Sequence, residues 1–290
     1  MKKLLLLALV GAILLNATPV LADDGFYVIP VRATPGTSIP SLPYTITASG
    51  YYYLTGNLTS TGSSGITVNA DNVTIDLMGF ALSGPPNGGA EGITIKTNNV
   101  EVRNGTVTGW YNGIYYSNGG SLCRAIGVRA VGNRNGINLG YDSLIKGCTA
   151  SPGSDTLGTG LRVATGAISG CTVMGFSPND SSDGQIYVLY GGRASDNLVL
   201  NCGSTGIRGQ ASTTVTGNAV INCKNGIDLS GGGSLVANSV VANSGQTAYI
   251  FDSTGVNPVV GDQNSCYLAT DAIHYTGIRT GVWALNAYSH

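Results

Sequence analysis

A glycine followed by an aliphatic residue recurs along this chain at nearly constant spacing, and this repeat restricts the fold more than any other feature. The steps between successive aliphatic residues are 27, 21, 23, 24, 25, 21, 20 and 23, with a mean of 23. A period of this size is typical of solenoids, in which each unit buries its apolar face against the next. Seven copies are clear and two are degenerate, and the aliphatic residues, here called the anchors, are Ile66, Ile93, Ile114, Ile137, Leu161, Ile186, Ile207, Ile227 and Ile250.

One or two short segments of alternating apolar and polar residues follow each anchor, as at residues 72–77 and 214–221. Three short strands and three turns in about 23 residues make one coil of a parallel β-helix. Parallel crossovers are almost always right-handed. We therefore predict an all-β chain that forms a single right-handed parallel β-helix of about nine coils. An antiparallel sandwich or barrel is the alternative, but hairpins would not maintain one register over eight steps.

Composition supports a β-rich chain with a substantial core. The chain has 44 glycines among 290 residues, and only 10% of its residues are charged. Ordinary soluble domains have about 25% charged residues and about 7% glycine. A helical bundle or a disordered chain would need far more charged and helix-forming residues than this sequence contains.

The first residues are typical of a secretory signal peptide. Two lysines at positions 2 and 3 precede an apolar run over residues 4–15, and small residues lead to a cleavage site after Ala22. An uncleaved N-terminal anchor is the alternative. Residues 1–22 therefore predict a secreted, periplasmic or cell-surface protein without a membrane span in its mature form. Because the chain has no basic block, nucleic acid is not an expected partner.

The ends of the repeat are expected to be closed by caps, because an exposed terminal coil presents unpaired strand edges. Residues 23–43 contain Pro30, Pro35, Pro40 and Pro43 and predict an irregular N-terminal cap. The β-helix is predicted over residues 44–255. Residues 256–290, which include the longest glycine-free stretch of the mature chain, predict a C-terminal cap.

The six cysteines follow the coil period and form no close pair of the kind that binds metal. Cys148 and Cys171 occupy equivalent positions on neighbouring coils, and so do Cys202 and Cys223. Export permits disulfides, but neighbouring strands about 4.8 Å apart place the Cβ atoms farther apart than a disulfide prefers. We favour buried thiols, and disulfides remain the alternative.

Residues 43–58 and 71–80 resemble the first turns of secreted right-handed parallel β-helix proteins with pectate-lyase-like repeats. The resemblance extends over about residues 43–250. It implies the β-helix fold and membership of a superfamily of sugar-binding and sugar-hydrolysing domains. The Gly-His-Gly and Arg-Ile-Lys strings of polygalacturonase-like enzymes are absent, and the histidines are His274 and His290. These differences favour a protein without hydrolytic activity.

The residue after each anchor should point outward, because side chains alternate along a strand. Aromatic rings in this position stack on sugars, and arginine binds carboxylates. We predict a glycan-binding groove there, with a solvated outer face rich in strand-favouring tyrosine as the alternative. Thr67 and Thr94 begin this row, and Tyr111, Tyr141 and Tyr190 lie in nearby turns and belong to the same predicted groove. The predicted ligand-binding residues are Trp110, Tyr115, Asn138, Arg162, Tyr187, Arg208 and Asp228.

A weaker candidate is an acidic cluster formed by Asp180, Asp183 and Asp196, with Arg193 nearby. A polysaccharide lyase needs carboxylates to hold Ca²⁺ and a basic group to remove a proton beside the sugar carboxylate. The same segment is also typical of a simple turn.

Three hypotheses about function follow. The first is an exported, non-catalytic protein that binds a polysaccharide or surface glycan, without a cofactor. The second is a polysaccharide lyase or related enzyme that uses the acidic cluster and Ca²⁺. The third is a structural or adhesive surface rod that contacts protein chains, for which a homo-oligomer is an option.

Overall fold

A computed structural model of the chain describes its strands and the turns between them. The described residues are 36–62, 64–85, 89–117, 120–177, 184–210, 212–230, 234–237, 239–253, 260–267, 271–277 and 283–287. They belong to one compact unit, Gly36–His290. The predicted signal peptide and the first part of the predicted N-terminal cap lie outside the described residues.

Every regular element in the described ranges is a β-strand, and the strands pair in parallel between successive coils. Ile114, for example, pairs with Ile93 of the preceding coil and with Ile137 of the next. The all-β fold and the parallel β-helix are therefore confirmed. The nine anchors delimit about eight turns rather than nine. The first eight predicted anchors are buried and follow one another in register, and buried Tyr249 takes the ninth position in place of Ile250.

The last anchor differs from the expected one by a single residue. Tyr249 pairs with Ile227 and is fully buried, whereas Ile250 pairs with Asp228 and is half-exposed. Because the side-chain period of a strand is two, this one-residue shift exchanges the inward and outward positions. A buried tyrosine is tolerated here because its hydroxyl donates to the carbonyl oxygens of Ser239 and Ser265, each at 2.8 Å.

Each coil has three faces, named here in chain order from the anchor. The first face contains strands Tyr44–Ile46, Ile66–Val68, Glu91–Ile95, Asn112–Tyr116, Asn135–Leu139, Leu161–Val163, Gly184–Val188, Thr247–Ser253 and Asp271–Gly277. The second face contains strands Thr37–Ile39, Gly50–Leu54, Val73–Asp76, Ser143–Lys146, Gly166–Ser169, Gly192–Ser195, Thr213–Thr216 and Leu235–Ala237. The third face contains strands Leu58–Thr59, Ala81–Ser83, Thr149–Pro152, Thr172–Met174 and Val240–Ala242.

Six strands continue around a corner from one face to the next, as their two sets of partners show. Four of them pass from the second face to the third and two pass from the third to the first. These strands are Val100–Thr108, Arg124–Asn133, Val260–Tyr267, Trp283–Ala287, Leu198–Gly209 and Ala219–Ser230.

The recurring glycine before each anchor is required by close approach between coils. A Cβ atom on Gly65 would lie 2.0 Å from the carbonyl oxygen of Gly92, and one on Gly136 would lie 2.3 Å from that of Gly160. No side chain fits at such distances, so the corner from the third face to the first accepts only glycine in most coils. The repeat that predicts the fold is therefore a packing requirement.

The strands extend beyond the predicted boundaries of the β-helix. Thr37–Ile39 pairs with residues 52–54, inside the predicted N-terminal cap. In the predicted C-terminal cap, Cys266 pairs with Val241, and Ile273 pairs with Tyr249. Strand pairing requires alternation rather than glycine, so a glycine-free stretch can continue the coil.

The cysteines divide into two groups. Cys202 and Cys223 form a disulfide with a Cα–Cα distance of 4.4 Å, where the register shifts after Cys202. Cys148 and Cys171 remain thiols, and the Cys148 amide donates to Sγ of Cys171 at 3.4 Å. The prediction of stacked thiols is therefore confirmed for Cys148 and Cys171 and wrong for Cys202 and Cys223. An irregular register brings the second pair closer together than regular strand spacing does.

Candidate functional site

The residues after the anchors form one continuous row on the outside of the first face. Tyr115 pairs with Asn138, Asn138 pairs with Arg162, and Arg162 pairs with Tyr187. Arg208 and Asp228 continue the row on the next two coils, and Thr67 and Thr94 precede it. Alternation along the strands thus predicts the placement of the row correctly.

The part of this row from Tyr187 to Asp228 is closed rather than open to a ligand. Tyr187 is only 5% exposed, and the Arg162 guanidinium lies 5.3 Å from its ring centroid. Arg208 and Asp228 form an ion pair at 3.7 Å, with both side chains mostly covered. The prediction of an open groove that includes Tyr187, Arg208 and Asp228 therefore fails, because neighbouring side chains in the row cover one another.

Trp110 is a core residue instead of a platform for sugars. It is 2% exposed, and its indole N–H donates to the Leu82 carbonyl oxygen at 3.0 Å. Cβ atoms on Gly65, Gly84 and Gly92 would each lie about 3 Å from its ring. The ring therefore fills the space that these glycines leave.

An open concavity lies beside the row, at the corner between the third and first faces. It consists of two adjoining pockets of about 240 and 440 Å³, which share Tyr111 and Arg134. We call the two together the corner groove. The smaller pocket is also lined by Asn135, Ile137, Asn138, Leu157, Thr159 and Arg162. The larger pocket is also lined by Gly84, Pro85, Gly109, Trp110, Gly132, Gly153, Ser154 and Asp155.

The floor of the larger pocket is glycine from successive coils. The Gly84 amide donates to the Thr108 carbonyl oxygen, which places Gly84 beside Gly109, and Gly132 and Gly153 follow on the next two coils. Three coil steps give a trough about 14 Å long. A floor without side chains allows a ligand to approach the backbone closely.

Arg134 occupies the junction of the two pockets. Its guanidinium lies 4.8 Å from the ring centroid of Tyr111, which is 40% exposed. Its Nε lies 3.3 Å from a carboxylate oxygen of Asp155, and both side chains are substantially exposed, at 35% and 46%. The cation–π contact holds the guanidinium over the face of the ring. The junction thus presents an aromatic surface, a cation and an anion together.

Arg162 and Asn138 form the far end of the smaller pocket. The ion pairs found among the described residues involve Arg103, Arg124, Arg134 and Arg208, but not Arg162. Within the same ranges the buried Oδ1 atom of Asn138 receives no hydrogen bond. A cation and an amide with unused hydrogen-bonding capacity are the groups that recognise a carboxylate beside a hydroxyl.

A cluster of tyrosines lies at the opposite edge of the first face. The exposed rings of Tyr141 and Tyr190 stack with centroids 6.4 Å apart and planes 8° apart. Tyr115 contacts Tyr116, whose pKa is raised because burial disfavours its phenolate. This edge is separated from the corner groove by the row of outward residues.

The alternative acidic cluster is only partly within the described residues. Asp180 and Asp183 lie outside them. Arg193 lies on the second face, where it donates to Thr216, and Asp196 lies at the following corner. Both are exposed and lie on a different face from the corner groove. In the described ranges no three His, Cys, Asp or Glu residues converge as metal ligands.

The groove residues that escaped the sequence prediction include Arg134, Asp155, Leu157 and Thr159. They lie in turns between the third and first faces, where coil length varies and alternation gives no direction. A signal was nevertheless present, because Asn112 pairs with Asn135 one coil later, so Tyr111 and Arg134 are also neighbours. Comparing turns at the repeat period would have placed the arginine beside the aromatic ring.

With this geometry the chain is a parallel β-helix protein with a polar corner groove. Its fold is similar to that of an alginate lyase from Paenibacillus sp. str. FPU-7, at 13% identity and a TM-score of 0.55, over 81% of this chain and 98% of that one. A tailspike protein 2 from Escherichia coli O157:H7 bacteriophage CAB120 matches at 12% identity and a TM-score of 0.36, over 84% of this chain and 37% of the tailspike. No protein-family model and no curated protein matches the sequence. The described residues contain no helix with the length and apolarity of a membrane span.

Proposed function

We propose that this protein is exported and binds an acidic polysaccharide in the corner groove without cleaving it. The observation that supports this most directly is the junction of the two pockets, where Arg134 and the exposed ring of Tyr111 meet. Arg162, one coil farther on, supplies a second cation. The combination of planar cations, an aromatic surface and an open polar trough suits an extended chain of sugars that bear carboxylates.

The shape of the groove favours a polymer over a small ligand. The larger pocket runs along the coils over the glycine floor, and the smaller pocket extends it towards Arg162. Small ligands usually occupy enclosed, mostly apolar cavities, whereas this groove is open and polar. A chain of sugars can lie along it and contact the backbone of several coils.

Two further observations support a location outside the cell. The sequence begins with a predicted signal peptide, and Cys202 and Cys223 form a disulfide. Disulfides persist in oxidising compartments and are rare in the cytosol.

The fold is shared with an alginate lyase, and alginate is an acidic polysaccharide.

The proposal is tested by calorimetric titration of the mature protein with oligogalacturonate, oligoalginate, hyaluronan oligosaccharides and neutral cellohexaose. We expect binding to at least one acidic ligand and none to cellohexaose. Arg162→Gln should weaken binding by about tenfold, the typical worth of one charge-assisted hydrogen bond. Arg193→Gln is the matched control, because Arg193 is an exposed arginine on the second face.

Two results would overturn the proposal. One is the absence of binding to every acidic ligand, and the other is an equal loss of affinity in Arg162→Gln and Arg193→Gln. Ultraviolet absorbance of unsaturated products is followed in the same samples. Its appearance would replace non-catalytic binding with polysaccharide lyase activity as the function of the protein.

A further inference from the structure

The two arginines of the corner groove differ in whether a protein carboxylate neutralises their charge. Arg134 has a carboxylate partner in Asp155 at 3.3 Å, whereas the described residues offer Arg162 no ion pair. We infer that the groove selects an acidic polysaccharide that contains both carboxylate-bearing and uncharged sugars. This inference rests on the proposed function and adds the substrate class.

The Asp155 carboxylate is a fixed part of the groove. Its Oδ1 accepts a hydrogen bond from the Leu157 amide at 3.0 Å, and the Thr159 amide donates to Oδ1 of Asn135 at 3.0 Å. A Cβ atom on Gly158 would lie 1.7 Å from the Arg134 carbonyl oxygen. The loop over residues 155–159 is therefore packed directly against the strand that begins after Arg134. This packing holds the Asp155 carboxylate beside the Arg134 guanidinium.

This arrangement makes the Arg134 subsite unfavourable for a second carboxylate. A uronate placed on Arg134 would have to compete with Asp155 and would then lie beside its negative charge. A neutral sugar has no such conflict, because one hydroxyl can accept from the guanidinium and donate to the carboxylate. Its ring can also contact the exposed part of Tyr111.

The Arg162 subsite has the opposite character. Arg162 and Asn138 are paired across neighbouring strands and line the same pocket as Arg134. A sugar carboxylate can accept from the guanidinium, and the Oδ1 atom of Asn138 can accept from a sugar hydroxyl. The two arginines line the same pocket, so one extended oligosaccharide can contact both. Different sugars of one chain therefore meet subsites of different charge.

The test compares two acidic hexasaccharides, one of oligogalacturonate, in which every sugar is charged, and one of hyaluronan, in which charged and neutral sugars alternate. Binding is measured by calorimetry with the mature protein and its Asp155→Asn variant. The variant keeps the acceptor for the Leu157 amide and removes only the charge. Asp142→Asn, at an exposed carboxylate on the opposite corner, is the control.

The unmodified protein should bind the alternating oligosaccharide several-fold more tightly. Asp155→Asn should strengthen binding of oligogalacturonate by about three- to tenfold, as expected for removing one like charge at contact distance, and should change hyaluronan binding by less than about twofold. An unchanged preference in Asp155→Asn, or an unmodified protein that prefers oligogalacturonate, would overturn the inference and leave the proposed function standing. If neither acidic probe nor oligoalginate binds any variant, the proposed function itself fails.

Discussion

The Nε atom of Arg103 donates to the carboxylate of Asp76 at 2.8 Å, across two neighbouring coils of the second face. The same carboxylate accepts hydrogen bonds from the Met78 amide at 2.9 Å and from the Tyr51 hydroxyl at 3.2 Å. Asp76 is almost fully buried, so its charge depends on these donors. The pair therefore links the stability of the first coils to the protonation of one carboxyl group.

This linkage predicts a loss of stability in acid. Burial raises the pKa of Asp76, but hydrogen bonds from Met78, Arg103 and Asn104 outweigh it, and the pKa lies below its ordinary value of 3.8. Because the pKa of Asp76 is lower in the folded than in the unfolded protein, its carboxylate stabilises the folded state at pH values above the unfolded-state pKa. This stabilisation is lost as the pH falls through the folded-state pKa. Between about pH 4 and pH 2, the melting temperature should fall more steeply for the unmodified protein than for Asp76→Asn. Parallel curves would contradict this assignment.

Replacement of an anchor glycine by alanine should strongly destabilise the protein. In Gly136→Ala the new Cβ would lie 2.3 Å from the Gly160 carbonyl oxygen and 3.0 Å from the Ala150 side chain. Forced overpacking of this kind costs about 1–3 kcal/mol, which denaturant unfolding would detect. Gly56→Ala is the control, because no heavy atom lies within 4 Å of its added Cβ. Equal unfolding midpoints for the two variants would be inconsistent with close coil contact at this corner.

The Cys202–Cys223 disulfide gives a prediction about thiol content. Of six cysteines, four remain thiols, so denatured and unreduced protein should yield four reactive thiols per chain. Replacement of both Cys202 and Cys223 by serine should lower the free energy of unfolding by about 2–4 kcal/mol, because the bond closes a loop of 21 residues. A yield of six thiols would exclude the disulfide, and a yield of two would indicate that Cys148 and Cys171 are also bonded.

Trp110 and Tyr111 are adjacent in sequence, but substitution of the first should lower stability and substitution of the second should lower ligand affinity. Trp110→Ala removes a fully packed side chain and should cost about 3–5 kcal/mol of stability. Tyr111→Ala removes an exposed ring, so stability should change by less than about 0.5 kcal/mol, while binding of acidic oligosaccharides should weaken. Urea unfolding and calorimetric titration of both variants test this contrast. Comparable stability loss in the two variants would mean that Tyr111 also belongs to the core.

The sequence predicts those features that depend on the repeat itself. Alternation after each anchor correctly aligns Tyr115, Asn138 and Arg162 on one row. Burial depends on neighbours from other coils, which a linear pattern does not reveal. Tyr187 is covered because Arg162 lies over its ring, and Trp110 is buried because surrounding glycines leave it space. Within the corner groove, Asn138 and Arg162 belong to the predicted row, whereas Arg134 and Asp155 escaped prediction because they lie in turns of variable length, such as residues 153–159.

The disulfide between neighbouring coils also affects how the protein responds to mechanical force. Each coil contacts only its neighbours, so a chain pulled from its ends should peel away coil by coil. When peeling reaches Cys202, the bond to Cys223 keeps the 21-residue loop closed and outside the line of tension. At about 3.4 Å per extended residue, the closed loop shortens the extended length of the chain by about 70 Å. The fully stretched molecule should therefore be longer by that amount after reduction.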